Sequence, residues 1–334
     1  MRDNDAMKAE RTVQTMRTES FYEPGDGPVP VILDTDIGPD CDDAGAVAVL
    51  HALQSEGRLR AIGMMNCTSS PWGAGCLDAI NAYYGRGDIP VGTLEARGFL
   101  VGDLFEKYNR MIATTCVNRY TDGRSAPDAS RLYRKLLADA GDGSIVIIAI
   151  GPLINLMRLL LTGADDISPL SGTELAACKV RHLVVMGGLF PEGKEWNFEM
   201  HPESAAIVCG QWPTPITFTG YEIGAAIPTG KRLLAEAPED HPVRRSYTAY
   251  LGDEPARPSW DLTAVLYAAH GAAPYWDIVR GRITVDPASG ANDWNADPLG
   301  PHAYLSAKLP PEAIADLLDE LLTRGHKTKK TLWT

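Results

Sequence analysis

Apolar and polar positions along the chain follow two rhythms. The β-rich runs VPVIL at 29–33, RAIGMMN at 60–66 and IPVGT at 89–93 are separated by stretches with helical spacing at about 42–54 and 76–85. The same alternation resumes further on. DASRLYRKLLADA reads as a helix, SIVIIAI at 144–150 as a strand, PLINLMRLLL as a helix and HLVVMGG at 182–188 as a strand. PESAAIVCG, with Pro202 near its first turn, and WDLTAVLYAAHG read as further helices, with the strand PITFTG between them. Unbroken apolar strand runs are what a parallel sheet buried on both faces requires. The pattern predicts an α/β fold: a mostly parallel central sheet with helices on both faces.

Two segments depart from this rhythm. RITVDP and the Gly/Asn/Asp-rich stretch after it predict a small antiparallel hairpin near the C-terminus, followed by an amphipathic helix at about 311–323. Residues 1–28 are polar and end in PGDGP, so they are expected to form an N-terminal extension, a flexible arm or a surface helix, to a single domain over residues 29–334. No internal repeat or linker divides that domain.

Composition narrows the classes. No apolar run approaches the roughly 18 residues of a membrane span. The first twenty residues lack the apolar stretch of a secretory signal, so a cytoplasmic location is expected. Forty-three acidic against 31 basic residues give a formal charge of −12, which repels polyphosphate; the short HKTKK at 326–330 reads as a solvated tail. A nucleic acid polymer is therefore an unsuitable partner, whereas a metal cation or a small neutral molecule suits the field. Cys41, Cys67, Cys76, Cys116, Cys178 and Cys209 form no CxxC pair and read as free thiols.

The chemistry concentrates in VILDTDIGPDCDDAGAVAVL at 31–50, which carries Asp34, Asp36, Asp40, Asp42 and Asp43 between a strand and an Ala/Val-rich helix. The carboxyl end of a strand is where open α/β sheets bind ligands. Two carboxylates about 5 Å apart repel by roughly 3 kcal/mol at an effective dielectric near 20, so the cluster calls for a cation. One or two of these residues could be helix caps, but capping does not account for five. An all-oxygen donor set without His or Cys favours calcium or magnesium over zinc. An EF-hand or thrombospondin-like calcium loop would need another ligand register. A haloacid-dehalogenase-like phosphohydrolase shares the strand-Asp-x-Asp start but would want a later Lys and a second acidic pair.

DTDIGPDCDD resembles the signature of the inosine/uridine-preferring nucleoside hydrolases. The likeness recurs in family order through MMN ending at Asn66, DAINAYYGRGDIPV at 78–91, IAIGPLINL at 148–156, EWNFEMHPESAA at 195–206 and SWDLTAVL at 259–266. The resemblance implies an open Rossmann-like nucleoside hydrolase fold and calcium-dependent hydrolysis of the N-glycosidic bond of a ribonucleoside or related ribosyl compound, a step of purine or pyrimidine salvage. It also implies a homodimer or homotetramer. By the same resemblance Asp36, Asp43, the Ile150 carbonyl and Asp261 would hold Ca2+, and Asp36 would also be the general base. Asp42 would grip the ribose hydroxyls, and Asn66, Glu195 and Asn197 match residues that bind the sugar.

Two departures stand out. The motif is two residues longer than the common form, which makes Asp40 extra. Trp260 replaces the histidine that family members place before the C-terminal aspartate as leaving-group acid, and His201 and His270 are only near matched segments. One branch of the family is thought to activate purines by stacking on tryptophan, which nominates Trp260, together with Trp72, for that role; Trp196 and Trp260 would otherwise be core anchors. A non-catalytic calcium-dependent sugar-binding protein on the same scaffold is the reading from another class, against which the retained Asp36 argues.

Overall fold

Successive residues of the first strand face opposite layers of the core. Val31 and Leu33 pack into one apolar cluster and Ile32 into the other. Val146 and Ile148 are likewise separated from Ile147, and Val184 and Met186 from Leu183 and Val185. This two-sided burial is why these strands read as unbroken apolar runs.

The computed structural model describes residues 21–120 and 122–324. The strands are β1 (Val29–Thr35), β2 (Leu59–Asn66), β3 (Val91–Thr93), β4 (Ile145–Ala149), β5 (Val180–Met186) and β6 (Glu192–Gly193). They continue with β7 (Ile216–Thr219), β8 (Pro228–Thr229), β9 (Arg257–Pro258), β10 (Trp276–Val285), β11 (Asn292–Ala296) and β12 (His302–Ala307). Ten form one sheet in the order β3-β2-β1-β4-β5-β7-β12-β10-β11-β6, and β8 pairs with β9 separately. From β3 to β12 neighbouring strands run parallel, and the β10, β11 and β6 pairings are antiparallel. The expected hairpin is β10–β11; β12, which carries it onto the parallel sheet, was not foreseen.

The chain moves outward from β1 to β2 and β3 on one side, and to β4, β5 and β7 on the other. The β1/β4 boundary is therefore a topological switch point, and the crevice at its carboxyl end is where such sheets bind ligands. The loop after β1 and the Ile150 turn after β4 both open there. Behind the loop the Asp42–Ser55 helix is buried along most of its length, packed against the Trp260–His270 and Pro311–Thr323 helices. Its Ala, Val and Leu residues on all sides suit that position.

All six cysteines are free. Among the described residues no helix is long and apolar enough to cross a membrane. Residues 21–28, the end of the expected extension, have no regular structure, yet Tyr22 is buried. Its ring stacks on His182 at 4.6 Å and its hydroxyl donates to the Ala268 carbonyl at 2.8 Å. Residues 1–20 and the HKTKK tail lie outside the described residues.

Candidate active site

The β1 strand ends in Asp34 and Thr35, and the backbone then turns through 36–41 into the helix that starts at Asp42. Asp34 points below the crevice: the Tyr133 hydroxyl donates to it at 2.8 Å and the Asn155 amide at 3.3 Å. Burial pushes its carboxyl up to about 7, against the pull of these donors. Asp36 is also buried and reaches about 7, raised mainly by burial and next by Asp40, while the Trp196 indole and Asp43 hold it down.

Asp42, Asp43 and Asp261 converge, each offering an oxygen within 4.8 Å of the others. Two hydrogen bonds and a helix start hold the group together. The Thr35 hydroxyl donates to Asp43, Asp42 accepts the backbone N–H of Asp261 at 3.2 Å, and the Trp260–His270 helix delivers Asp261 in its first turn. Burial raises all three carboxyls well above their ordinary range; Asp40 adds to this at Asp42, Asp36 at Asp43, and Asp42 at Asp261. Asp36 and Ile150 line the same pocket. Buried, mutually repelling carboxylates with oxygen donors alone fit a hard divalent cation.

The pocket above this floor is a cavity of about 430 Å³. Glu195 and Asn197 enter it from the start of the Trp196–Met200 helix, just after β6. Glu195 caps the Trp196–Met200 helix by accepting the N–H groups of Asn197 at 2.8 Å and Phe198 at 3.3 Å, and also that of Gly188 at 3.0 Å. Burial raises it to about 7 despite these three donors. The Asn197 amide donates to the Met186 carbonyl at 3.1 Å, which ties this wall to the end of β5.

The opposite wall and the mouth are aromatic. Trp196, Tyr221, Tyr250 and Trp260 line the pocket, with Leu104 at its edge. Trp196 is 45% exposed, Tyr221 44% and Leu104 74%, so three of the largest exposed apolar side chains meet at one opening. Tyr221 stacks on Trp260 at 5.5 Å, and the Trp260 indole N–H donates to the Tyr221 carbonyl at 2.9 Å.

Eight expected site residues thus share one pocket: Asp36, Asp42, Asp43, Ile150, Glu195, Asn197, Trp260 and Asp261. Asn66 is not among the lining residues. Its amide donates to the Thr68 carbonyl and the Thr93 hydroxyl, both at 2.9 Å, and it is fully buried at the end of β2. Trp72 also lies elsewhere, under the Arg110 guanidinium. None of the six described histidines lines the pocket; His201 caps the Pro202–Gln211 helix and His270 packs beside Tyr275. Asp40 faces Arg257 rather than the carboxylate trio, accepting from its Nε at 3.0 Å and from Nη2. Arg257, Tyr221 and Tyr250 come from segments without a motif, and only the fold reveals them.

A carboxylate-floored, aromatic-walled pocket at the switch point of a parallel sheet is the ligand site of an α/β protein, with an acidic centre that could hold a metal ion. The model of the inosine-uridine preferring nucleoside hydrolases matches residues 31–296, and the chain belongs to that family of N-glycosyl hydrolases acting on nucleosides. Similar solved structures share the fold. A plant nucleoside hydrolase is 22% identical with a TM-score of 0.67, covering 89% of this chain and 99% of its own. The inosine-uridine preferring nucleoside hydrolase of Bacillus anthracis is 14% identical with a TM-score of 0.64, covering 90% and 99%. The type III effector XopQ, in complex with adenosine diphosphate ribose, is 13% identical with a TM-score of 0.66, covering 95% and 98%. No curated protein sequence matches the chain.

Proposed function

We propose that the chain catalyses calcium-dependent hydrolysis of the N-glycosidic bond of a ribonucleoside or a related ribosyl compound, releasing base and ribose. The observation that carries this reading is the meeting of Asp36, the Asp42–Asp43–Asp261 trio, Glu195 and Asn197 in one cavity.

Asp36, Asp43, Asp261 and the Ile150 carbonyl would hold the cation, with Asp42 at its edge. When bound, calcium supplies the positive charge these carboxylates lack and orients water and the sugar diol. Asp36 accepts the proton of the attacking water, as a carboxylate fixed beside the water's place in the cavity can. Asp42, Glu195 and Asn197 hold the ribose hydroxyls, and the fixed carboxylates favour the positive charge that develops on the ring as the bond breaks. Asn66 contributes from beneath, anchoring the Thr68 turn and the end of β3. The base lies between the exposed faces of the aromatic wall.

The test is to incubate calcium-loaded protein with a panel of ribonucleosides, following free base and ribose by chromatography, with Asp36→Asn as control. The panel includes adenosine diphosphate ribose, because a ribosyl compound of that kind is bound by a protein of the same fold. Base release by the wild type but not by the variant supports the reading. Absence of release from every compound, with calcium bound, overturns it in favour of a binding role.

A further inference from the structure

The pocket holds one cationic side chain among the described residues, Arg257, and its place is over-determined. Nε donates to both Asp40 carboxylate oxygens at 3.0 Å and Nη2 closes the fork. The guanidinium carbon lies 5.2 Å from the Tyr250 ring centre and 5.0 Å from that of Trp260. The fork fixes the plane of the group, and the rings fix its position. No acceptor among the described residues takes Nη1, and the side chain is 30% exposed, so that edge is open to an occupant of the cavity.

Breaking a C1′–N bond leaves an electron pair on the base nitrogen, and that charge needs a proton or a fixed cation. No described histidine reaches the cavity. We propose that Arg257, positioned by Asp40, is the group that stabilises the departing base, donating Nη1–H to an acceptor on its edge; this inference rests on the nucleoside-hydrolysis reading above. Arginine keeps its proton, so it acts as a cationic hydrogen-bond donor and not as a general acid. The C1′–N bond breaks with both electrons leaving on the base. The water oxygen bonds to C1′ and its proton passes to Asp36. The base anion then takes a proton from solvent water, and Asp36 returns its proton to solvent. Asp40 is a positioning residue: without it the guanidinium loses the fork that aims Nη1.

This role explains a longer aspartate loop whose extra carboxylate pairs with Arg257. It also implies a leaving group with a hydrogen-bond acceptor conjugated to the glycosidic nitrogen.

The experiment compares calcium-loaded wild type, R257M, R257K and D40N on the best nucleoside of the panel and on p-nitrophenyl β-D-ribofuranoside, whose phenolate departs without a cation. The ratio of the two rates within one preparation does not depend on how much of a variant folds. R257M is expected to lose about 100-fold on the nucleoside, the scale of one lost charge-stabilising donor, and to stay within about fivefold on the aryl riboside. D40N and R257K are expected to lose about tenfold on the nucleoside with the same selectivity. Equal losses on both substrates in R257M overturn the role of Arg257 and leave the hydrolase reading standing. A wild type that cleaves neither compound overturns that reading itself.

Discussion

Asp42 accepts the backbone N–H of Asp261 at 3.2 Å, joining the first turn of the helix after β1 to the first turn of a helix 219 residues further along. One hydrogen bond thus couples the two halves of the carboxylate trio. The chain closes the site by packing these helix starts side by side, which brings together three buried carboxylates whose mutual repulsion a bound cation would relieve.

The first prediction concerns that cation and pH. Folding raises the carboxyls of Asp36 and Glu195 to about 7 and those of the trio upward, so the folded state binds more protons than the unfolded one above pH 4. Stability from these groups is present at low pH and falls as pH rises through their folded values. The buried histidines His51 and His182, lowered to about 3, act oppositely between about 3 and 6.5, but they cancel in a comparison with and without calcium. The rise in melting temperature on adding calcium to chelator-treated protein is therefore expected to be larger at pH 8 than at pH 5. An equal rise at both values would show that the trio does not take the ion.

Asp36→Asn keeps size and burial while removing the base. It is expected to lower kcat by roughly 10²–10⁴-fold, the usual reach of a positioned general base. In chelator-treated protein the melting temperature should be unchanged or raised, because a buried charge is replaced by a neutral amide. Turnover within about twofold of wild type, measured on the same nucleoside, would move the base role elsewhere.

Trp196 and Trp260 both line the pocket but differ in attachment. Trp260 is tied to Tyr221 by its indole N–H and by stacking, whereas Trp196 turns its indole to Asp36 and leaves nearly half its surface free. A base–aromatic stack is worth about 1–3 kcal/mol, so Trp196→Ala is expected to lower kcat/KM by roughly 5–150-fold with little change in melting temperature. Trp260→Ala should cost both activity and stability. Unchanged turnover in a folded Trp260→Ala protein would remove it from the base wall.

How much of this was legible beforehand follows from the range of each signal. β1, β4 and β5 announce themselves because both their faces are buried, and the aspartate motif is contiguous. The partner of Asp40 was invisible because Arg257 stands 217 residues away in a segment without a motif. Tyr221 and Tyr250 were hidden for the same reason: nothing local requires an aromatic there. Asn66 lies at the expected strand end, but its amide turns to Thr68 and Thr93, a choice set by tertiary packing. β12 is hard to read from sequence because its buried residues His302, Ala303 and Leu305 neither alternate strictly nor form an unbroken apolar run.

The last prediction turns on a glycine that lets two backbones meet. A Cβ on Gly224 would sit 2.3 Å from Trp260 Cα and 2.6 Å from its backbone nitrogen, while the Gly224 carbonyl accepts the Ser259 N–H at 3.2 Å. Backbone cannot yield as a flexible side chain can, so Gly224→Ala must push the start of the Trp260–His270 helix outward. Asp261 moves with that helix, and the trio opens. Gly224→Ala is expected to weaken calcium binding by about tenfold, as read by titration calorimetry, with the far-ultraviolet circular dichroism of a folded protein; losses of this size are usual when the groups that orient metal ligands are disturbed. Gly210 is the matched control. It lies near the end of the Pro202–Gln211 helix with nothing within 4 Å of an added Cβ, so Gly210→Ala should raise stability by up to about 1 kcal/mol and leave calcium affinity alone. Equal calcium affinity in the two variants would mean that the trio does not depend on how closely Gly224 approaches Trp260.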